Sequence, residues 1–203
     1  MNIYLCIIVA ALLLDFFLHT LSRFLDLKHL SIDLPLEFKG YYSQDEYSRS
    51  QQYLKENTRF AYITSTFDLL IILLVIFLGL FNTVDLWIRG FGYSPIVTGL
   101  MFFGVLFFIQ DIIGTPFSLY STFIIEEKFG FNKTTPKTYI MDKIKGYFIL
   151  IVLGGLILSL ILFFFESFGS LAWFYAWMVL SCFLVLIQPL FTLFIAPMFN
   201  KFT

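Results

Sequence analysis

Charge is scarce in this 203-residue sequence, and so are the side chains from which metal and thiol sites are built. Only 13% of the residues are charged, whereas an ordinary soluble domain has about 25%. The formal net charge of −1 offers no basic surface for nucleic acid. The only two cysteines, Cys6 and Cys182, lie inside apolar runs. They are therefore predicted to be packing residues and not part of a disulfide or metal site.

The sequence also lacks the common catalytic motifs. Its two histidines, His19 and His29, stand ten residues apart, whereas a catalytic zinc site usually takes two histidines one helical turn apart and a third ligand. There is no glycine-rich phosphate loop and no Gly-x-Ser-x-Gly elbow. Asp68 and Asp111 could pair as in an aspartyl protease, but neither lies in a recognisable motif. No catalytic or metal-ligating residue is predicted from these patterns.

Apolar residues, by contrast, make up 59% of the chain, and the mean hydropathy is +0.87. They concentrate in five segments: 3–21, 61–81, 96–113, 147–165 and 171–194. A helix needs about 20 mostly apolar residues to cross a bilayer, and in lipid it must satisfy its own backbone hydrogen bonds. We therefore predict an all-α, multispan membrane bundle of about five transmembrane helices with helical cytoplasmic extensions, forming one domain over residues 1–203.

The basic residues predict the orientation of this bundle. Lys and Arg number six in residues 20–60, five in residues 115–146 and one in the C-terminal tail, whereas Arg89 is alone on the other side. Because cytoplasmic connectors carry an excess of Lys and Arg, both long connectors and the C-terminus are predicted to be cytoplasmic. The N-terminus is predicted to lie outside.

Five polar residues interrupt the apolar segments: Asp15, Asp68, Gln110, Asp111 and Gln188. Charges at membrane depth cost several kcal/mol and usually face the bundle interior or a wet cavity. With the predicted orientation, all five fall in the cytoplasmic half of their helices. They predict a hydrated chamber that opens toward the cytoplasm. The alternative is that these side chains simply reach interfacial water from the helix ends.

Residues 45–60 are polar and rich in helix formers, which predicts a cytoplasmic extension of the second helix. Tyr47, Leu54 and Ala61 recur along it at intervals of seven residues. The extension either docks through this apolar stripe or stands as a solvated helix end.

The third span is expected to kink at Pro116 and to continue to a C-terminal stop at Gly130. Glu126 and Glu127 near that stop are unfavourable against the helix dipole, so basic partners are expected for them. Pro136, preceded by a threonine, predicts the start of a helix that runs into the fourth span.

The stretch before Pro136 reads Glu-Glu-Lys-Phe-Gly-Phe-Asn-Lys, and it closely resembles the N-terminal region of the Ste24-type CAAX prenyl proteases, membrane zinc metalloendopeptidases of the M48 family. The motif residues are Glu126, Glu127, Phe129, Gly130, Phe131, Asn132 and Lys133. Further matches follow in the expected order: Leu34-Pro35, residues 46–60 with Ser50 and Tyr53, Pro116-Phe117 with Tyr120, Asp142, Lys145, Trp173, residues 175–177 and residues 196–202.

The resemblance implies a ring of helices around a water-filled chamber in the full-length enzyme. There, His-Glu-x-x-His and a later glutamate hold a zinc that cleaves peptides near a prenylated or otherwise membrane-associated C-terminus. Those ligands follow the region that this chain resembles, so no catalytic or metal residue is carried over. The chain is expected to be an N-terminal membrane domain without the catalytic domain, without its own zinc, and inactive alone.

The implied partners are membrane lipid, a C-terminal catalytic segment on the same or a separate chain, and the peptide substrate of the full-length enzyme. The motif loop is expected to pack near that segment. The implied location is a bacterial inner membrane, or the endoplasmic reticulum membrane in a eukaryote. Two alternatives stay open: a free-standing membrane scaffold or lipid-peptide binding module, and a small transporter. A transporter would be expected to show internal repeats, and none is visible.

Overall fold

The computed structural model describes residues 2–31, 33–35, 40–41 and 43–199, and over these ranges it contains helices but no strand. The helices are α1 Ile3–His29, α2 Gln44–Phe77, α3 Leu80–Arg89, α4 Pro95–Phe129, α5 Pro136–Ser167 and α6 Gly169–Phe199. All except α3 are long and apolar enough to cross a membrane. The predicted all-α fold with five membrane helices is confirmed.

Local side-chain chemistry sets where the helices begin. The Ser43 side chain accepts a hydrogen bond from the backbone N–H of Glu46, whose carboxylate accepts one in return from the Ser43 N–H. This capping box satisfies two donors at the start of α2. At the start of α5, the Thr135 hydroxyl accepts from the N–H of Thr138 at 3.1 Å. The predicted start at Pro136 is confirmed.

The predicted second span, 61–81, is wrong at its end. The α2 helix stops at Phe77, Gly79 adopts φ of +66°, and α3 begins at Leu80. Apolar residues continue through this turn, so hydropathy alone does not reveal it. The left-handed glycine starts a short separate helix, in which Asp85 and Arg89 form an ion pair at 2.7 Å.

The α4 helix continues through Pro116, and a widened π-helical turn follows at Ser121–Glu126. Near the proline, the Thr115 hydroxyl donates to the backbone carbonyl of Asp111 at 2.5 Å. Similar π-helical turns occur at Leu150–Gly154 in α5 and Phe191–Ile195 in α6. The last of these comes directly after Pro189, which lies inside the helix.

The chain divides into two compact units, and the first comprises residues 1–83 and 111–133. In this unit, Arg23 of α1 reaches α2, where its guanidinium donates to the carbonyl of Ala61 at 3.2 Å and to the hydroxyl of Ser65 at 2.9 Å. The phenol of Tyr62 donates back to the Thr20 carbonyl at 3.3 Å. Polar contacts thus join two helices whose apolar side chains face outward, as is typical between membrane helices.

The second unit comprises residues 84–110 and 134–203. Its α5 and α6 are joined by a tight turn in which Gly169 has φ of +51°, and the ring of Phe168 lies 4.7 Å from that of Tyr175. At Gly99 of α4, an added Cβ would lie 2.7 Å from a methyl carbon of Leu162. The absent side chain therefore lets α4 and α5 approach closely.

Candidate functional site

The motif loop begins where α4 ends. Gly130 has φ of +73°, and its N–H donates to the Glu127 carbonyl at 3.0 Å. The N–H of Phe131 donates to the Glu126 carbonyl at 2.9 Å. This pair of hydrogen bonds is a Schellman motif, in which a left-handed glycine satisfies the carbonyl groups left open at a helix end. The predicted helix stop at Gly130 is confirmed.

Three side chains of α2 hold this loop, and we call the arrangement the clasp: Arg49, Tyr53 and Glu56 of α2 with Lys128, Phe129 and Phe131. The Arg49 guanidinium donates a hydrogen bond to the carbonyl of Phe129. Lys128 forms an ion pair with Glu56. The clasp therefore joins the cytoplasmic extension predicted for α2 to the family-motif loop.

Aromatic packing forms the centre of the clasp. The Tyr53 ring meets Phe129 edge to face, with ring centroids 5.4 Å apart, and Phe131 at 4.8 Å. Such pairs contribute about 0.5–1.5 kcal/mol beyond the area that they bury. Phe129 is only 5% exposed. The clasp is thus an ordered structural element, and it places the motif residues against α2.

The same faces of α2 and α4 continue to meet beyond the clasp. Phe60 lies 5.0 Å from Tyr120 and 6.3 Å from Phe117, and Phe67 lies 4.9 Å from Phe117, measured between ring centroids. The α2 extension therefore docks against α4, which is one of the two predicted alternatives.

The predicted docking stripe is nevertheless wrong. Leu54 is 44% exposed, and the contacts with α4 run through positions 49, 53, 56 and 60 instead. These positions recur at helical spacing. Apolar periodicity does not reveal these four contact positions, because they mix charged and aromatic residues.

The expected basic partners of Glu126 and Glu127 do not appear among the described residues. The Glu127 carboxylate instead accepts from the side-chain amide of Asn132 at 2.9 Å, and the Glu126 backbone carbonyl closes the loop. The basic side chains near this helix end bind other groups: Arg49 donates a hydrogen bond to the Phe129 carbonyl, and Lys128 pairs with Glu56. Lys133 is exposed at the end of the loop.

The predicted chamber-lining residues are distributed over both units. In the first unit, Asp15 is exposed and lies 3.5 Å from His19 one turn along α1, and Asp68 is exposed. Asp111 is half-buried, and the Thr115 hydroxyl lies 3.4 Å from its carboxylate. In the second unit, the remaining two positions are exposed: Gln110 and Gln188.

The second unit contains an anchor at the end of α6. The ammonium of Lys145 donates to the carbonyl of Met198 at 2.7 Å and to the carboxylate of Asp142 at 3.1 Å. It also lies 5.2 Å from the centre of the Phe199 ring. Lys145 therefore holds the last described turn of α6, and Asp142 pairs with its ammonium. The motif residues 200–202 lie outside the described residues.

The described side chains do not fit a zinc ion. No group of three or more His, Cys, Asp or Glu side chains in residues 2–31, 33–35, 40–41 and 43–199 is arranged to hold a metal. Both histidines lie on α1, and His29 uses a ring nitrogen to contact the Leu25 carbonyl at 2.8 Å. A hydrolytic zinc needs three protein ligands and an open position, so no reaction step is assigned to these residues.

Comparison with known proteins identifies the relatives of this chain. The sequence model of a family described as CAAX prenyl protease N-terminal, five membrane helices, matches residues 23–201. The chain is 34% identical over 182 residues to CAAX prenyl protease 1 homolog of Dictyostelium discoideum, covering 87% of this chain and 42% of that protein. It is 32% identical over 180 residues to CAAX prenyl protease 1 of Saccharomyces cerevisiae, covering 84% and 40%.

The fold matches a solved structure as well. Compared with the crystal structure of S. mikatae Ste24p, the TM-score is 0.88 and the identity 27%, over 100% of this chain and 49% of that one. The chain spans half or less of the length of these relatives. These matches confirm the resemblance drawn from the motif loop.

Proposed function

The chain belongs to the family of CAAX prenyl protease N-terminal regions with five membrane helices, and from this premise we propose that it forms the membrane half of a zinc endopeptidase. In this proposal it supplies a hydrated chamber and a docking loop, and polypeptide beyond these 203 residues supplies the zinc ligands. The full enzyme cleaves prenylated or membrane-associated peptides. The observation that carries the proposal is the match of the whole chain to about half of a Ste24p structure.

The proposed orientation puts both long connectors in the cytoplasm and the N-terminus outside. Two observations support it. Twelve of the thirteen Lys and Arg residues lie on the connectors and the C-terminal tail. The clasp joins the start of α2 to the end of α4, as expected if both connectors lie on one side of the bilayer. The membrane would be the inner membrane in a bacterium or the endoplasmic reticulum membrane in a eukaryote.

The chamber proposal predicts which helix positions water can reach. In a cysteine-free background, Asp68→Cys and Gln188→Cys should react with a membrane-impermeant thiol reagent at least about tenfold faster than Leu70→Cys and Leu186→Cys, because carboxylates and amides at membrane depth face wet cavities. The matched controls are apolar side chains exposed on the same helices. Equal protection at all four positions would exclude the chamber.

Peptidase function is tested by supplying the second half. The 203-residue chain is expressed together with the part of the Saccharomyces cerevisiae relative that follows the matched region. The pair is expected to copurify, to bind about one zinc and to cleave a prenylated peptide in a chelator-sensitive reaction. The membrane chain alone should neither bind zinc nor cleave the peptide. Zinc-dependent cleavage by the chain alone would contradict the proposal, and a stable chain that never associates with the second half would favour the scaffold alternative.

A further inference from the structure

All three tryptophans of the chain lie toward one end of the helices of the second unit. Trp87 is on α3, and Trp173 and Trp177 are in the first turns of α6. Each indole is about 60% exposed. Because successive spans cross a bilayer in opposite directions, the α2–α4 connector and the α5–α6 turn lie at the same membrane surface. Exposed tryptophans concentrate at the membrane–water interface, which places this surface at the depth of the lipid headgroups.

A cavity of about 260 Å³ opens at this level within the second unit. The end of α3, the start of α4 and the end of α5 form its walls. Its charged lining comes from Asp85, Arg89 and Glu166, and its apolar lining includes Phe102 and Leu162. The volume exceeds that of several water molecules, at roughly 30 Å³ each.

The charged groups of this cavity have unused hydrogen-bonding capacity. The Arg89 Nε donates to the Asp85 carboxylate at 2.7 Å, and this ion pair raises the pKa of Arg89, so the guanidinium stays charged. The two terminal nitrogens of Arg89 and the carboxylate of Glu166 have no hydrogen bond to any described residue. The cavity therefore presents unused donors for an anion and an unused acceptor for a cation.

We infer that this cavity binds the headgroup of a phospholipid that carries a primary ammonium, the phosphoethanolamine class. The phosphate takes the terminal N–H groups of Arg89, and the ammonium donates to Glu166. The inference does not rest on the peptidase function proposed above, because it concerns the membrane chain by itself.

Charge and hydrogen bonding distinguish this headgroup from the other common ones. A choline headgroup has no N–H to donate and is typically recognised by a cage of aromatic rings, whereas Phe102 is the only aromatic side chain lining the described cavity. An anionic headgroup would bring a net negative charge to a lining that has two carboxylates and one guanidinium. A zwitterion with an N–H donor satisfies both halves of the site.

The test measures lipid preference of the purified chain. The chain is reconstituted in nanodiscs with equal phosphatidylethanolamine and phosphatidylcholine, and the lipids that it retains after extraction are counted by native mass spectrometry. The wild type should prefer the ethanolamine lipid by about tenfold, the scale of one charge-assisted hydrogen bond. Glu166→Gln should abolish most of this preference, because the ammonium loses its acceptor. Arg89→Gln should instead lower the retention of both lipids, because both carry the phosphate. Asp45→Asn and Lys137→Gln, exposed charges outside the cavity, should leave it within about twofold.

Three outcomes would overturn the inference. The first is equal retention of the two lipids by the wild type, a comparison that needs no substitution. The second is an unchanged preference in Glu166→Gln together with unchanged lipid retention in Arg89→Gln, with thermal unfolding showing that both variants are folded. The third is competition by soluble glycerophosphoethanolamine as strong as by the lipid, which would make a soluble compound, not the bilayer, the source of the ligand.

Discussion

Replacing Gly130 with alanine is expected to destabilise the clasp by about 3 kcal/mol, because two costs coincide at this position. The backbone φ of +73° lies in the left-handed region, which costs a residue with a Cβ about 1–2 kcal/mol. The new Cβ would also lie 2.9 Å from a terminal nitrogen of Arg49. The guanidinium, which is the end of a flexible side chain, must then shift. The shift weakens its hydrogen bond to the Phe129 carbonyl and loses part of the about 1.5–3 kcal/mol that a hydrogen bond from a charged group contributes.

Gly79 supplies the matched control in the same unit. It has φ of +66°, and an added Cβ would meet nothing within 4 Å, so Gly79→Ala should carry the backbone cost alone. Trypsin cleavage at the exposed Lys133 reports opening of the clasp when opening is fast relative to cleavage. Cleavage should accelerate about 100-fold in Gly130→Ala and far less in Gly79→Ala. Equal acceleration in the two variants would contradict the prediction, because the backbone cost at a distant left-handed glycine would then explain the whole effect.

The parts of this fold that could be predicted from sequence are those fixed by local chemistry. The five membrane helices follow from segment length and hydropathy, because a spanning helix satisfies its own backbone. The stop at Gly130 and the start at Pro136 follow from the φ preferences of glycine and proline. The break after Phe77 was missed, because it depends on one left-handed glycine inside an apolar run.

The parts that escaped prediction depend on contacts between distant residues. Arg49 and Phe129 are 80 positions apart, and Glu56 and Lys128 are 72. Nothing local to Arg49 indicates that it caps a helix end on another part of the chain. Basic partners were expected for Glu126 and Glu127 from the helix dipole; a basic side chain does reach this helix end, but it binds the Phe129 carbonyl.

The cavity beside α3 could not be predicted from the sequence for a similar reason. Asp85, Arg89 and Glu166 lie in the connectors between the predicted spans, on α3 and at the end of α5, where charged residues are ordinarily solvated. Only the fold brings residues 85–89 beside residue 166. A signal was present in the sequence, since the three tryptophans flank these connectors, but an interface marker does not by itself predict a cavity.

Reversing the charge of Arg49 should have the largest effect on the reconstituted peptidase, a loss of at least about 100-fold in cleavage rate. Arg49→Glu removes the charge-assisted hydrogen bond to Phe129 and sets a carboxylate against the negative end of the α4 dipole. The edge-to-face contacts of Tyr53 then lose their fixed partners, and the motif loop should no longer present the single surface that is proposed to dock the catalytic segment. Arg49→Lys, which keeps the charge but lacks the planar fork, should lose about tenfold.

Lys55→Glu is the control for this prediction, because it makes the same charge reversal on the same helix. Lys55 is exposed and outside the clasp, so its reversal should leave the cleavage rate within about twofold. Copurification with the catalytic segment should fall in parallel with cleavage for Arg49→Glu, because the expected defect is in docking. If Arg49→Glu and Lys55→Glu cleaved equally well, the clasp would be a feature of the membrane half alone, and the docking role of the motif loop would be excluded.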